Sequence, residues 1–356
     1  LGDVYKRQPY NSLTGASRWN EPCVPVYTTG TSIDTGGQPR ESLRTVYGRI
    51  DQDIDRAIEL LEKARETTLA ENNKSHINLY VALGIKSRAC LAEGDWDGAF
   101  KAAKRVIDEG GYAVGTKSDL TGGMNSLDKQ NVMWGAGIQV ADQAGGYAGF
   151  FTHMDNKEGD YAKSAPKLIS KQLYNRISAT DIRRDWWDPS DKESPYVSKK
   201  FSFANVASFL GDYIYMRVEE MYFTAAEAAL RLDDLKSARE LMNTVMAERD
   251  PGYSANNRSG TLLGATTTTW TGSFLENILT HRRIELWGEY GRLFDVRRLG
   301  QGIDRRTDDG FSEECISMMN RRNVNITKAD TYDWVLTIPK AELDANPNIN
   351  EEDQNP

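Results

Sequence analysis

The sequence is short of the residues that most often carry chemistry. Among 356 residues there are three cysteines and three histidines. Cys23, Cys90 and Cys315 stand far apart, in no Cys-x-x-Cys or zinc spacing, so neither a metal knuckle nor a paired disulfide framework is indicated. They read as small buried or half-buried residues. His76, His153 and His281 have no cysteine or histidine neighbour at ligand spacing, which argues against a histidine-centred metal site. The chain also lacks G-x-S-x-G, H-E-x-x-H, G-x-x-x-x-G-K-[ST] and G-x-G-x-x-G. That removes the local signatures of esterase nucleophiles, zinc proteases, P-loops and dinucleotide sites, and no cofactor is implied. No apolar run is long enough to span a bilayer. A basic excess is missing too: 44 Lys and Arg face 52 Asp and Glu, a net charge of −8. A nucleic-acid partner, which calls for a basic patch or stripe, is therefore not expected, whereas a neutral ligand such as a sugar is compatible.

What is present is helical periodicity. From Ser42, the residues Leu43, Val46, Tyr47, Ile50, Ile54, Ile58 and Leu61 mark a long amphipathic helix. A second helix is expected over His76 to Glu93, broken by Gly94-Asp95. A third follows over Asp97 to Glu109 through Ala99, Phe100, Ala103, Val106 and Ile107. This turn-and-helix unit looks like a tetratricopeptide hairpin, whose helices must stack on neighbours to bury their apolar faces. Tyr215 to Leu232 and Leu235 to Arg249, joined at Asp233-Asp234, read as another. The fold class is mostly α, a tetratricopeptide-like scaffold of helical pairs with long irregular loops forming the ligand face.

Two stretches put charge where the pattern expects apolar side chains. In the run from Ser273 to Gly300, Ser273 and Glu276 form a capping box. Leu275, Ile278, Leu279, Leu286, Tyr290 and Leu293 then make one helical face that also carries Arg282 and Glu289. In the other, Arg217, Glu220 and Glu227 share a stripe with Met216, Phe223 and Leu230, while Ala225, Ala226, Ala228 and Ala229 let a neighbour approach closely. Buried charges are costly unless paired. A structural ion-pair network of Arg217, Glu220, Glu227, Arg282, Glu285, Glu289 and Arg292 is expected, with Arg217, Glu220 or Glu227 meeting Arg282 or Glu289 between helices. Glu285 with Glu289, or Glu220 with Glu227, also have the look of a glycosidase carboxylate pair. Arginines around them would keep both members ionised, which suits ion pairing and not acid catalysis. Catalytic residues are not expected, and the chain is read as a non-enzyme.

The same residues carry a resemblance. Arg217-Val-Glu-Glu220 with Ala226-Glu227-Ala228 and Asn243-x-Val245…Arg249 resembles the SusD/RagB family of outer-membrane nutrient-binding lipoproteins of Bacteroidetes. Arg282-Arg-Ile-Glu285-Leu-Trp-Gly-Glu289…Arg292-Leu-Phe-Asp295-Val-Arg-Arg298-Leu-Gly300 is similar to that family's most telling signature. Ile338-Pro339-Lys-Ala-Glu342-Leu…Asn346-Pro347, with Gln354-Asn-Pro, resembles its closing motif. The resemblance implies a surface-exposed outer-membrane lipoprotein that captures an oligosaccharide or other nutrient. It would pass this to a SusC-like TonB-dependent transporter, breaking no bond, with membrane attachment only through a lipid anchor. The octet LGDVYKRQ resembles translated adaptor sequence, so residues 1–8 are set aside. Residues 9–356 read as one helical domain lacking the family's N-terminal portion, anchor included.

Ligand-binding residues are sought in the long intervals Thr116 to Asp212 and Asp250 to Gly272, since loops on a rigid scaffold are where binding usually lives. Aromatic rings suit the C–H face of a sugar beside its hydroxyls. Trp186, Trp187 and Trp270 are expected to form the site, with Tyr147 and Phe150 behind them. Two adjacent tryptophans leaving a helix before Asp188-Pro189 should not both fit one core, and Trp270 sits in a polar loop. Asp155, Lys157, Gly159 and Asp160 lack the regularity of a calcium loop and read as loop charge, so no metal is expected. Two alternatives stay open: a glycoside hydrolase on a helical scaffold, and a protein-binding tetratricopeptide scaffold with its groove on the helices.

Overall fold

The computed structural model describes residues 18–28, 30–32, 34–65, 73–140, 149–303 and 336–355. The expectations for Tyr147 and Cys315 lie outside the described residues. The molecule is mostly helical. The main helices are α1 (Leu43–Arg65), α2 (Leu79–Glu93), α3 (Trp96–Glu109), α4 (Val218–Arg231), α5 (Leu235–Ala247), α6 (Phe274–Glu285) and α7 (Arg292–Arg298).

Local chemistry explains the hairpins. Asn78 Oδ1 accepts from Val81 N at 2.9 Å and starts α2; Gly94, at φ 80°, ends it. Asp95 then caps α3 by accepting from Gly98 N at 3.0 Å. The second hairpin repeats the device: Asp233 takes the left-handed conformation at φ 62°, and Asp234 caps α5 through Ser237 N at 3.0 Å. An aspartate tolerates that conformation better than most residues, which is why this turn works without glycine.

The helix α4 lies at the centre, against α2, α3, α5 and α6. Its four alanines, Ala225, Ala226, Ala228 and Ala229, are at most 1% exposed, and Phe223 and Met221 are fully buried with Met246, Phe274 and Ile278. The helix is buried nearly all round, and its carboxylates Glu219, Glu220 and Glu227 are buried in ion pairs. Its start differs from expectation: Tyr213–Arg217 is a strand, paired antiparallel with Val132–Ala136, and the helix begins only at Val218. The interval 116–212 is also less open than its composition suggests. Leu120, Phe151, Ile169, Leu173, Phe201 and Phe203 gather with Ile284 of α6 into a second apolar cluster. The closing motif folds back on the start of the described chain. Gln354 brackets Ile338 through both its backbone groups, Asn346 donates to Gln38 O at 2.9 Å, and Arg40 donates to Asp353 O at 2.9 Å.

The run from Ser273 is not one helix. Ser273 caps α6 as expected, accepting from Glu276 N at 3.1 Å, while the Glu276 carboxylate accepts from Thr271 N and Gly272 N. The helix then stops at Glu285 and resumes as α7 at Arg292, because Gly288 and Gly291 adopt φ 75° and 114°. Tyr290 and Leu293, expected on the buried stripe, are 36% and 39% exposed. The break lets Glu289 turn inward.

The charges meet between segments. Arg217 Nε, at the end of the strand before α4, donates to Glu289 Oε2 in the turn after α6 at 2.8 Å, and Arg282 Nη2 of α6 lies 3.4 Å from Glu220 Oε1 of α4. Glu227 instead pairs with Arg298 at 2.6 Å, and Arg282 with Asp295 at 3.0 Å. Glu285 is the hub: its carboxylate accepts from Arg183 at 3.2 Å, Arg217 at 3.0 Å and Arg249 at 2.9 and 3.0 Å. Asp181 and Glu219 supply the remaining negative charge, at 2.7 Å from Arg183 and 2.8 Å from Arg249. Burial raises the Glu285 carboxyl, yet Arg249, Arg217 and Arg183 outweigh it and hold that group well below the usual range. His281 is buried beside Arg183, whose Nη2 stands 2.9 Å from its Nδ1, and burial with that guanidinium keeps it neutral.

Two predictions follow from this interior. Arg249→Met strips partners from Glu285 and Glu219 together, and should lower unfolding stability by about 3–5 kcal/mol; a loss under about 1 kcal/mol by denaturant titration would show the pair to be dispensable. The second concerns acid. His281 stays neutral when folded but takes up a proton near pH 6.5 when unfolded, so the unfolded state gains protons and stability drops as pH falls below that value. Glu285, Glu289 and Asp295, all depressed, add a further loss below about pH 4. Burial pushes the Glu93 carboxyl up to about 8 and acts in the opposite sense over the upper window. The His281 slope is therefore read as the difference between the parent and His281→Gln in denaturant midpoints from pH 8 to 3; parallel profiles from pH 6.5 to 5 would refute the assignment.

Candidate functional site

The strand pair places aromatic rings at one opening. Trp134, on the first strand, meets Tyr215 of the second edge to face, with ring centres 5.1 Å apart. Tyr213 and Ile214 continue the wall, and the Tyr213 hydroxyl accepts from Phe150 N at 3.3 Å. Phe150 packs edge-on to Phe201 at 5.3 Å. With Met124, Arg88 and the Gly288–Glu289–Tyr290 turn, these residues enclose an open cleft of about 490 Å³. Tyr215 and Tyr290 stay 41% and 36% exposed, so their rings are accessible to a ligand. Gly288 is required: a Cβ there would lie 2.6 Å from the Phe201 ring and 2.8 Å from Met154.

The charged residues lining the cleft are two. Arg88 reaches from α2, donating through Nε and Nη2 to the two oxygens of Glu220 at 2.8 and 2.6 Å and to Tyr215 O at 2.7 Å. Its guanidinium lies 3.8 Å from the centre of the Tyr290 ring. Among the described residues its Nη1 has no hydrogen-bond partner. Glu289 is held from below by Arg217 and by Lys200, whose Nζ also donates to Glu285 O and Trp287 O at 2.7 and 2.8 Å. Burial pushes the Lys200 ammonium down to about 8 despite the Glu289 carboxylate. A second open cavity of about 560 Å³ shares Arg88, Trp134 and Tyr290 as its wall and runs between α1, α2 and α7, past Ile54, Ile85 and Phe294.

The residues expected to bind are mostly elsewhere. Trp186 and Trp187 are each 2% exposed and belong to the second apolar cluster. Their chain does not leave an α-helix: a 3₁₀ turn over Ile182–Trp186 passes directly into a strand at Trp187. That bend sets the rings at 76° and 5.8 Å, both inside one core. Trp186 Nε1 donates to Leu120 O at 2.9 Å, and Lys200 Nζ lies over its ring at 4.5 Å. Trp270 is half-buried with Arg176 stacked 3.7 Å over its ring, beside a cavity of only about 20 Å³ that Arg292 also lines. Of the described aromatic candidates only Phe150 reaches the cleft. Trp134, Tyr213, Tyr215, Tyr290 and Arg88 were missed; the alternation in Val132-Met-Trp134 and Tyr213-Ile-Tyr215 is the signal that could have marked them. Asp155, expected as solvated loop charge, is instead buried at 2% exposure, because its oxygens accept from Lys157 N, Glu158 N and Phe203 N at 3.0 Å. Among the described residues no acidic, histidine or cysteine cluster could hold a metal ion.

Stacked helical hairpins carrying an aromatic cleft at the head of their central helix define a tetratricopeptide-like helical scaffold. The chain belongs to the SusD family, whose model matches residues 152–356, more than half of its length. It is similar in fold to a SusD-like carbohydrate-binding protein from Bacteroides vulgatus: 23% identity, TM-score 0.75, 98% of this chain and 74% of that one covered. A SusD superfamily protein from Bacteroides thetaiotaomicron is similar at 22% identity and TM-score 0.75, with 99% and 74% covered. Surface glycan-binding protein A from Bacteroides uniformis is similar at 18% identity and TM-score 0.62, with 97% and 75% covered. No curated protein matches the chain.

Trp186→Ala should therefore act on stability, costing about 3–5 kcal/mol through the cavity it opens. A variant with the parent's melting temperature would place that ring at the surface after all.

Proposed function

We propose that this chain is a surface-exposed outer-membrane binding protein that captures an oligosaccharide or related nutrient and hands it to a SusC-like TonB-dependent transporter. Its mechanism is binding and delivery, with no bond broken, and a lipid anchor outside the given sequence would hold it to the membrane. The observation that carries this reading is the cleft itself: accessible Trp134, Tyr215 and Tyr290 rings stand beside a guanidinium with a nitrogen left over for a hydroxyl. Sugar rings need that pairing of flat apolar face and hydrogen-bond donor. Family membership supports it, as do two similar folds described as a carbohydrate-binding and a surface glycan-binding protein.

The hydrolase alternative draws little support from the carboxylates. Glu285 is fully buried under three arginines, and Glu289, half-buried at the cleft wall, is kept ionised by Arg217 and Lys200, so neither is poised as a general acid. The second cavity, lying on the helices, is what a peptide-binding reading would use.

A glycan array followed by calorimetry on the best hit tests the proposal. Trp134→Ala should weaken binding by about 2 kcal/mol, roughly thirtyfold, in protein shown by circular dichroism to remain folded. Unaltered affinity in that variant, or an array hit only among peptides, would sink the glycan reading of this cleft.

A further inference from the structure

Every charge on the walls of the cleft is already neutralised from behind. Arg88 faces the opening but is engaged through two nitrogens by the Glu220 carboxylate, at 2.8 and 2.6 Å. The Glu289 carboxylate is taken by Arg217 and Lys200. The adjoining cavity repeats the pattern: Arg282 pairs with Asp295 at 3.0 Å, Arg298 with Glu227 at 2.6 Å, and the exposed Asp53 with Arg49 at 2.9 Å. A bound anion would leave water for a mostly aromatic enclosure and find no uncommitted cation there. The chain as a whole, at a net −8, adds a repulsive field at long range. An uncharged hydroxyl has no such difficulty, since Arg88 Nη1 can donate to it without giving up Glu220.

Resting on the glycan-binding reading above, we infer that this cleft selects uncharged glycans and rejects acidic ones. The selection comes from Glu220, which neutralises Arg88, so that Nη1 can still donate a hydrogen bond but offers no uncompensated positive charge to a ligand carboxylate. Specificity of this kind is built against the wrong ligand as much as for the right one.

The test uses matched probes: glucan, mannan and galactan hexasaccharides, and the same hexasaccharides carboxylated at C6. Calorimetry on the full chain should find a neutral member that binds and a carboxylated counterpart at least tenfold weaker. That affinity should hold from 50 to 500 mM NaCl, since no net charge is matched on binding. Glu220→Gln, which frees the Arg88 guanidinium, should shift the neutral-to-acidic preference at least tenfold toward the acidic probe. Equal or tighter binding of a carboxylated probe by the parent, or affinity that falls steeply with salt, overturns the inference while leaving glycan binding intact. The salt series needs only the parent protein, so the idea stays exposed even if Glu220→Gln fails to fold. Binding of no probe in either series would overturn it together with the function on which it rests.

Discussion

One buried carboxylate organises this molecule. Glu285 receives Arg183, Arg217 and Arg249 while fully shielded from water, and its backbone oxygen accepts from Lys200. These cations come from the interval 116–212, from the strand before α4 and from the end of α5, so a single side chain ties together segments remote in sequence. Uncovering any of them would leave a charge buried without a partner, which is among the most heavily penalised events in a protein interior. The loops that look irregular in composition are thereby held in register with the helices.

The same network shapes the cleft. Helix α6 ends at Glu285, and the following turn swings Glu289 under the opening while presenting Tyr290 outward. Glu220, at the start of the central helix, holds Arg88 flat against the Tyr290 ring. The walls are thus set before any ligand arrives, and less ordering remains to be done on binding. Structural ion pairs and cleft are not separate parts here; the first is the floor of the second.

Much of the scaffold was legible in the chain. The helical pairs, the Gly94-Asp95 and Asp233-Asp234 turns and the Ser273 cap all follow from periodicity and capping chemistry, which act over a few residues. The charged stripes were legible as well, because Arg282 and Glu289 fall where apolar residues belong. Their partners were not: Arg183, Lys200 and Arg88 lie in segments whose positions no local pattern announces. The site was the least legible part. Trp186 and Trp187 drew attention as a bulky pair at a chain break, yet a 3₁₀ turn running into a strand sends both rings inward.

The sequence by itself determined the helical pairs with their turn and cap residues, how those helices face a core, and that several charges had to be buried in pairs. Those properties depend on neighbours three or four residues away. The strand before α4 and the break between α6 and α7 were not among them. Only the tertiary structure decided which charges pair and which rings meet solvent. Arg88 finds Glu220 across 132 residues, Arg183 finds Glu285 across 102, and Trp186 is sealed by Leu120 across 66. Burial of an aromatic ring is settled by whatever segment covers it, and that segment is chosen by the packing of the whole chain.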